Sequence, residues 1–543
     1  GRVSRKDTRF NFAGSPGTES WKQTYTYNEL GNVSRQTYPE CTWASCPGAL
    51  PQTQDYSYSN AFLTGVPGFA NAISYYPNGL YKQVTHANGV VDNQTNDPNS
   101  MRRPRELYAR LNGVDLWRSG LYEYDGAGNV KKVGSSYFLY DRVSRLVDGH
   151  VDDAPIGGGN LRYQTYSYDP YGNMTAVGGD PWAPGRATPT SSATNRLTSS
   201  SYDAAGSLVG SNGPGCGASG AALPANPCYE YDALGAMTRA GNGSAGTDWR
   251  YIYTADNERF WAYRVGGTSS VWTLRGLGGK VLREYDAHVS WTTFKDYIYR
   301  DGQLLASSHT SEGVQHFHLD HLGTPRLVTG VANAAAAGFY TVEPCRAYDS
   351  RNQAAPLNAG STPVVALAGV CGIPSEASAV SINITVVDAT ANGEMTAYPS
   401  NVPRPNTSAI SHLAGVTRAN NGVLKLGSGA LAFFNNQPSG SAHLVIDVNG
   451  YFVEAGVTAI HHAYFPFGEE LTPIAQDSEQ MKFTGHERDL GVANNVADDL
   501  DNMHARFCSP QSARFLSVDP VPDLVRAPRQ PQLWNLYSYG ANN

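Results

Sequence analysis

The chain has 543 residues, 40 Lys+Arg against 47 Asp+Glu and a net charge of −7, with only 16% charged residues. Gly (57), Pro (32) and Tyr (33) are abundant, a profile that excludes helical bundles and coiled coils, suits short strands joined by tight turns and offers no basic surface for nucleic acid. No stretch reaches the roughly 18 consecutive apolar residues of a membrane helix, so no membrane span is expected.

From the N-terminus, one pattern recurs: Tyr-x-Tyr-Asp, a few small residues, Gly-Asn, then a strand of alternating basic and apolar residues. It reads YTYNELGNVSRQTY (25–38), YEYDGAGNVKKV (122–133) and YSYDPYGNMTAV (166–177). Degenerate copies are YFLYDRVSRLV (137–147), SYDAAGSLV (201–209), YEYDALGAMTR (229–239), YIYTADNERFWAYR (251–264) and YIYRDGQLLAS (297–307). Alternating Tyr place two rings on one face of a strand. Asp or Asn caps the bend, and Gly-Asn is expected to supply the positive φ angles of a tight hairpin. One hairpin is marginal alone, so the units must stack to bury their aromatic faces. The expected fold over 1–330 is therefore all-β, a long spiralling antiparallel ribbon, with 180–200 and 210–227 as outer loops.

A small-residue run, 331–338, reads as a linker. The segment 339–455 then carries several short alternating strands, among them AVSINITVVDA (379–389) and AHLVIDVNGYF (442–452). They predict an inserted β-sandwich or jelly roll. An outward-facing sandwich suits contact with a cell-surface glycan or protein, and a passive spacer is the simpler alternative.

The third region, 456–543, closes an ordered series of motifs: FHLDHLGTPRLVTG (317–330), YFPFGEEL (464–471), KFTGHERD (482–489), DNMHARFCSP (501–510), ARFLSVDP (513–520) and WNLYSYGANN (534–543). Repeats and closing motifs together resemble the YD-repeat, or rearrangement-hotspot (Rhs), family with its repeat-associated core. The inserted segment resembles domains appended to exported bacterial surface proteins. The resemblance implies a secreted bacterial shell that encloses and delivers a C-terminal effector or toxin, with that effector and its immunity protein as partners. Its location would be extracellular or at the cell surface. The alternative is a cargo-free adhesin or surface fibre binding glycans or proteins. Unpaired strand edges leave self-assembly open.

Candidate chemistry is sparse. In 315–321, alternation puts His316, His318 and Asp320 on one strand face, a conceivable facial set of metal ligands. Polar residues hydrogen-bonding across the sheet are the simpler reading there, and the paired His461 and His462, at a strand start, read as surface residues rather than ligands. No cofactor is expected, because nucleophile-elbow, zincin, P-loop and dinucleotide motifs are absent. The family resemblance implies a single-turnover aspartic autoprotease in the parent protein, in which two acids share a proton. Asp519 matches the first carboxylate, and the second is expected just past Asn543. Asp523 is a poor substitute, so no proteolysis is expected of this segment alone. The seven cysteines lean towards an oxidising compartment. Neighbouring pairs are Cys41 with Cys46, Cys216 with Cys228 and Cys345 with Cys371, leaving Cys508, although spacing does not establish connectivity.

Overall fold

The computed structural model describes all residues except 11–18, 42–51, 100, 182–184, 211–227, 242–247, 266–268, 287–293, 332–337, 353–354, 375–376, 454–456, 473–478, 490–498, 521–532, 534 and 543. Among the described residues the chain is all-β, with short 3-10 turns and no α-helix. It divides into two compact units, Gly1–Gly330 with Ala459–Asn543, and Val331–Thr458.

The first unit is a succession of antiparallel meanders whose strands pair in sequence order. A sheet built on Arg5–Phe10, Glu19–Tyr27 and Val33–Thr37 is followed by five strands running from Ala70–Tyr75 to Val114–Arg118. Seven strands follow, from Tyr122–Tyr124 to Arg186–Ala187. The largest sheet has thirteen, from Ser201–Tyr202 through Pro325–Val331 to Val457–His461.

The repeats explain this order locally. In the hairpin Tyr122–Tyr124/Val130–Val133, the Asp125 carboxylate accepts the backbone N–H groups of Ala127 and Asn129, each at 2.9 Å. Asp141, Asp169, Asp232 and Asp320 hold their own turns the same way. These are Asx-type turns, in which a short carboxylate replaces a backbone acceptor. Only the glycine of each Gly-Asn pair takes a positive φ, +94° at Gly128 and +80° at Gly172. This corrects the expectation that both residues would. The asparagine contributes its side chain instead, Asn129 Nδ2 donating to Asp125 Oδ2 at 2.8 Å. Where glycine is missing, Ser144 (φ 63°) and Asn257 (φ 59°) occupy the left-handed position.

A β-bulge sits at the second tyrosine of each repeat, for example at Tyr124, Tyr168, Tyr231, Tyr253 and Tyr299. Bulges add local twist, so the ribbon coils in regular steps. The bulge tyrosine also reaches back. Tyr140 Oη donates to the Val130 carbonyl (3.0 Å), Tyr231 to Leu208 (3.0 Å), Tyr253 to Met237 (2.7 Å) and Tyr58 to Val33 (3.2 Å). In every case the acceptor is the residue that opposes the bulge tyrosine of an earlier hairpin.

Coiling brings distant strands together. Leu63, Ile73 and Val84 pack on Leu282, Ile298 and Leu305, and Trp21 packs on Phe260, Trp272 and Tyr285. The closing motifs join the same unit: Leu500, Phe507 and Leu516 pack on Leu208, Tyr229 and Tyr251, and Phe467 packs on Leu146 and Tyr166.

In the second unit two sheets face each other. One orders Gly338–Asp349, Ser441–Val453, Ala377–Val387 and Arg418–Lys425; the other orders Val364–Ala366, Ala430–Asn436, Gly393–Pro399 and Ile410–His412. Along Ala377–Val387 burial alternates strictly from Val380 onward, the period of two that a sandwich face requires. Val380, Ile382, Ile384, Val386, Leu444, Ile446 and Val448 form one aliphatic core, and Cys345 bonds Cys371.

Candidate functional site

The motif KFTGHERD delivers three adjacent charged residues into the interior. The strand Glu487–Asp489 pairs with Leu500–Met503, and all three of its side chains are buried. Arg259 meets Glu487 at 3.1 Å and Asp489 at 2.5 Å, and Arg275 also binds Glu487. Arg488 grips both oxygens of Asp501 (2.6 and 2.9 Å) and donates to the Gly468 carbonyl at 2.8 Å. Lys295 meets Glu479 at 2.5 Å. Closing motifs and ribbon are thus joined by buried charge pairs. Beside them lies Glu284, whose carboxyl is raised from 4.5 to about 7 by burial and by the charge of Glu487, against the opposing Tyr297 hydroxyl and Lys295.

A cavity of about 640 Å³ lies between the seven-stranded sheet and the closing motifs, walled by Phe138, Leu146, Phe465, Phe467 and Tyr539. Its ionic rim groups are already engaged. Arg326 pairs with Asp320 at 2.8 Å, and His321, whose basicity burial lowers, shares a hydrogen bond with the Tyr122 hydroxyl at 3.0 Å. Such walls accept aromatic or aliphatic groups rather than ions. On the seven-stranded sheet, Tyr137, His150 and Tyr163 stack in a partly exposed row with ring centroids 4.2 and 5.4 Å apart. The two end rings, Tyr137 and Tyr163, are the exposed ones.

The residues singled out from sequence fall in separate places. His316 and His318 share a face of Gly313–Leu319, both buried. Asp320 stands apart, its carboxylate holding the Leu322 and Thr324 amides and Arg326. In its stead the fold brings in His86 and Asp92, so that His86, Asp92 and His318 present ligand atoms within 4.8 Å of one another. Sequence reasoning missed this pair. Its one local signal is polar residues on the apolar face of a hairpin, His86 sharing the face of buried Val84.

Against the surface reading, His462 is buried, its ring satisfied by the Glu470 carboxylate at 2.7 Å. His461 is lowered to about 4 by burial, with Arg326 and His462 adding to the effect.

Asp519 is 39% exposed, its carboxylate 3.0 Å from Arg506 and its amide donating to the Leu536 carbonyl. Asp523 lies outside the described residues, as do Cys46 and Cys216. Cys41 and Cys228 are disulfide-bonded, and Cys508 is a buried free thiol whose pKa burial pushes up.

No family model matches the chain, and no curated protein does. Among solved structures, a crystal structure of TcdB2-TccC3-TEV aligns with 99% of this chain and 22% of its own, at 15% identity and a TM-score of 0.50. A Photorhabdus luminescens Tc holotoxin pore with a mutated TccC3 aligns with 96% of this chain and 21% of its own, at 15% identity and a TM-score of 0.47. The likeness is one of fold. This chain spans only 22% of the first structure's chain.

Proposed function

We propose that this chain is a segment of a secreted bacterial YD-repeat (Rhs-type) shell that encloses and delivers a C-terminal effector polypeptide. The observation that carries the reading is the anchoring of the closing motifs. Glu487, Arg488, Asp489 and Asp501 are buried in charge pairs, and near the end of the chain Asn535 and Asn542 both donate to the Gly172 carbonyl. A polypeptide continuing from there starts from a fixed wall rather than a loose tail. The fold likeness across 99% of the chain to a structure containing TccC3 supports the same reading.

In this reading Asp519 is the first carboxylate of the parent's self-cleavage. It acts only with a second acid, one as general base on water and the other as acid on the carbonyl oxygen. The test is the intact mass of the natural full-length product, with its termini sequenced. A cut shortly after Asn543, a co-purifying second peptide, and loss of the cut in Asp519→Asn are expected. A single uncut chain with no further polypeptide beyond the closing motifs would overturn the reading in favour of the adhesin.

A further inference from the structure

The strongest unassigned chemistry lies where two sheets distant in sequence meet. His86 ends the strand Tyr81–His86, Asp92 stands near the start of Val91–Asn96, and their hairpin puts both on one face. Opposite them, His316 and His318 project from Gly313–Leu319, and Thr329 from Pro325–Val331 lies on that same face. All three imidazoles are at most 2% exposed, while the Asp92 side chain is 16% exposed. The cluster is therefore buried with one edge open.

The contacts form a chain. Asp92 Oδ2 is 2.9 Å from His86 Nε2, and Asp92 Oδ1 is 2.5 Å from His318 Nδ1. At the far side of each ring a second partner waits: His316 Nδ1 lies 3.3 Å from His86 Nδ1, and Thr329 Oγ1 lies 2.7 Å from His318 Nε2. Asn88 Nδ2 donates to the same Thr329 oxygen at 2.9 Å.

That second layer decides the interpretation. A ligating histidine needs its other ring nitrogen protonated and hydrogen-bonded to an acceptor. His86 has such an acceptor in His316, and His318 has one in Thr329. If each ring carries its proton on the side away from Asp92, His86 Nε2, His318 Nδ1 and the Asp92 carboxylate all turn lone pairs to one point. No proton leaves the cluster in this exchange. The proton of His86 moves from Nε2 to Nδ1, that of His318 moves from Nδ1 to Nε2, and His316 takes its own on Nε2.

We propose that His86, Asp92 and His318 form a binding site for a divalent transition-metal ion, zinc being the ion that this ligand set fits best. Two imidazoles, borderline donors, with one carboxylate make a set that zinc takes, and calcium or magnesium would demand more oxygen. Three protein ligands leave a fourth position for water at the open edge beside Asp92. The ligand atoms lie within 4.8 Å of one another, and side-chain rotation must bring them to the roughly 3.4 Å spacing that tetrahedral zinc bonds of about 2.0–2.2 Å impose. The ion would rivet the sheet ending in Val114–Arg118 to the strand pair Gly313–Leu319/Pro325–Val331, and the inference stands whether or not the shell reading does.

The experiment uses the tag-free chain, stripped with EDTA, loaded with zinc chloride, desalted and assayed by elemental mass spectrometry. About one zinc ion per chain is expected, with a thermal midpoint that rises on loading and falls again on chelation. Asp92→Asn and His318→Gln should bind zinc at least about tenfold more weakly, and His309→Gln on a neighbouring strand should bind as wild type. A stripped and reloaded wild-type chain that retains no zinc overturns the proposal without reference to any variant. Zinc retained equally by folded Asp92→Asn and His318→Gln overturns it too.

Discussion

The ribbon's closing region and the inserted sandwich bury their interiors by opposite means. The sandwich core is aliphatic, built from Val380, Ile382, Ile384, Val386, Leu444, Ile446 and Val448. The ribbon, beside its apolar clusters, also buries Arg259, Arg275, Arg283 and Arg488 against Glu487, Asp489, Asp296 and Asp501. Aliphatic contact is non-directional and proportional to area, so it holds two sheets together without prescribing their partners. A buried charge pair adds little net stability, because desolvation offsets attraction, but a misplaced charge is strongly penalised. The ribbon has many similar hairpins that could pair in wrong combinations. Buried charges at the junctions single out one closure, whereas a sandwich with one core has no such ambiguity.

That contrast can be broken experimentally, because every tryptophan lies outside 331–458. Tryptophan fluorescence therefore follows the ribbon alone. The largest effect should come from Arg488→Met, which strands Asp501 as an unpaired buried carboxylate. A loss of about 3–5 kcal/mol is expected, visible as a lower urea midpoint in fluorescence. A midpoint within experimental error of wild type would show that the pair does not hold the closing motifs. Ile446→Ala in the sandwich should cost about 2–4 kcal/mol through its cavity. It should appear in circular dichroism while the fluorescence transition stays put.

The smallest effect sharpens the comparison through pH. Glu284 has a folded pKa of about 7 against an ordinary 4.5. Its contribution to stability is complete below about 4.5 and is lost as pH rises through about 7. The ribbon's midpoint in wild type relative to Glu284→Gln should therefore decline from about pH 4.5 to about pH 7 and level off above that. Glu284 belongs to the other unit, so the sandwich's transition should not differ between the two proteins at any pH. Parallel curves for wild type and Glu284→Gln would remove Glu284 from the account.

Much of the fold was legible because it is decided within a few residues. An Asp, a left-handed Gly and two alternating Tyr specify a hairpin before any distant contact forms, so strand order along Tyr122–Ala187 follows from reading the repeats. The bulge at the second tyrosine was hidden, since it depends on how the five-residue turn rejoins the ladder. The candidate site was the least legible part. His316 and His318 stood out, but their partners His86 and Asp92 lie more than two hundred residues earlier (|i−j| of 230 for His86 with His316), and only the coiling of the ribbon joins them. Asp320, two residues from His318, looked like a ligand by alternation and serves the turn instead. KFTGHERD was visible as a motif, but nothing in its composition says that Glu487, Arg488 and Asp489 all face inward.

The bulge tyrosines give the ribbon a polarity. Tyr140, Tyr231 and Tyr253 each donate to a carbonyl of the hairpin made before them, never to one made after. Each of these three hydroxyls completes an earlier hairpin, so this part of the ribbon has a growing end and a finished end. A chain emerging from the ribosome lays down each acceptor before the hydroxyl that fills it. Assembly of these hairpins can then proceed as a one-way zipper.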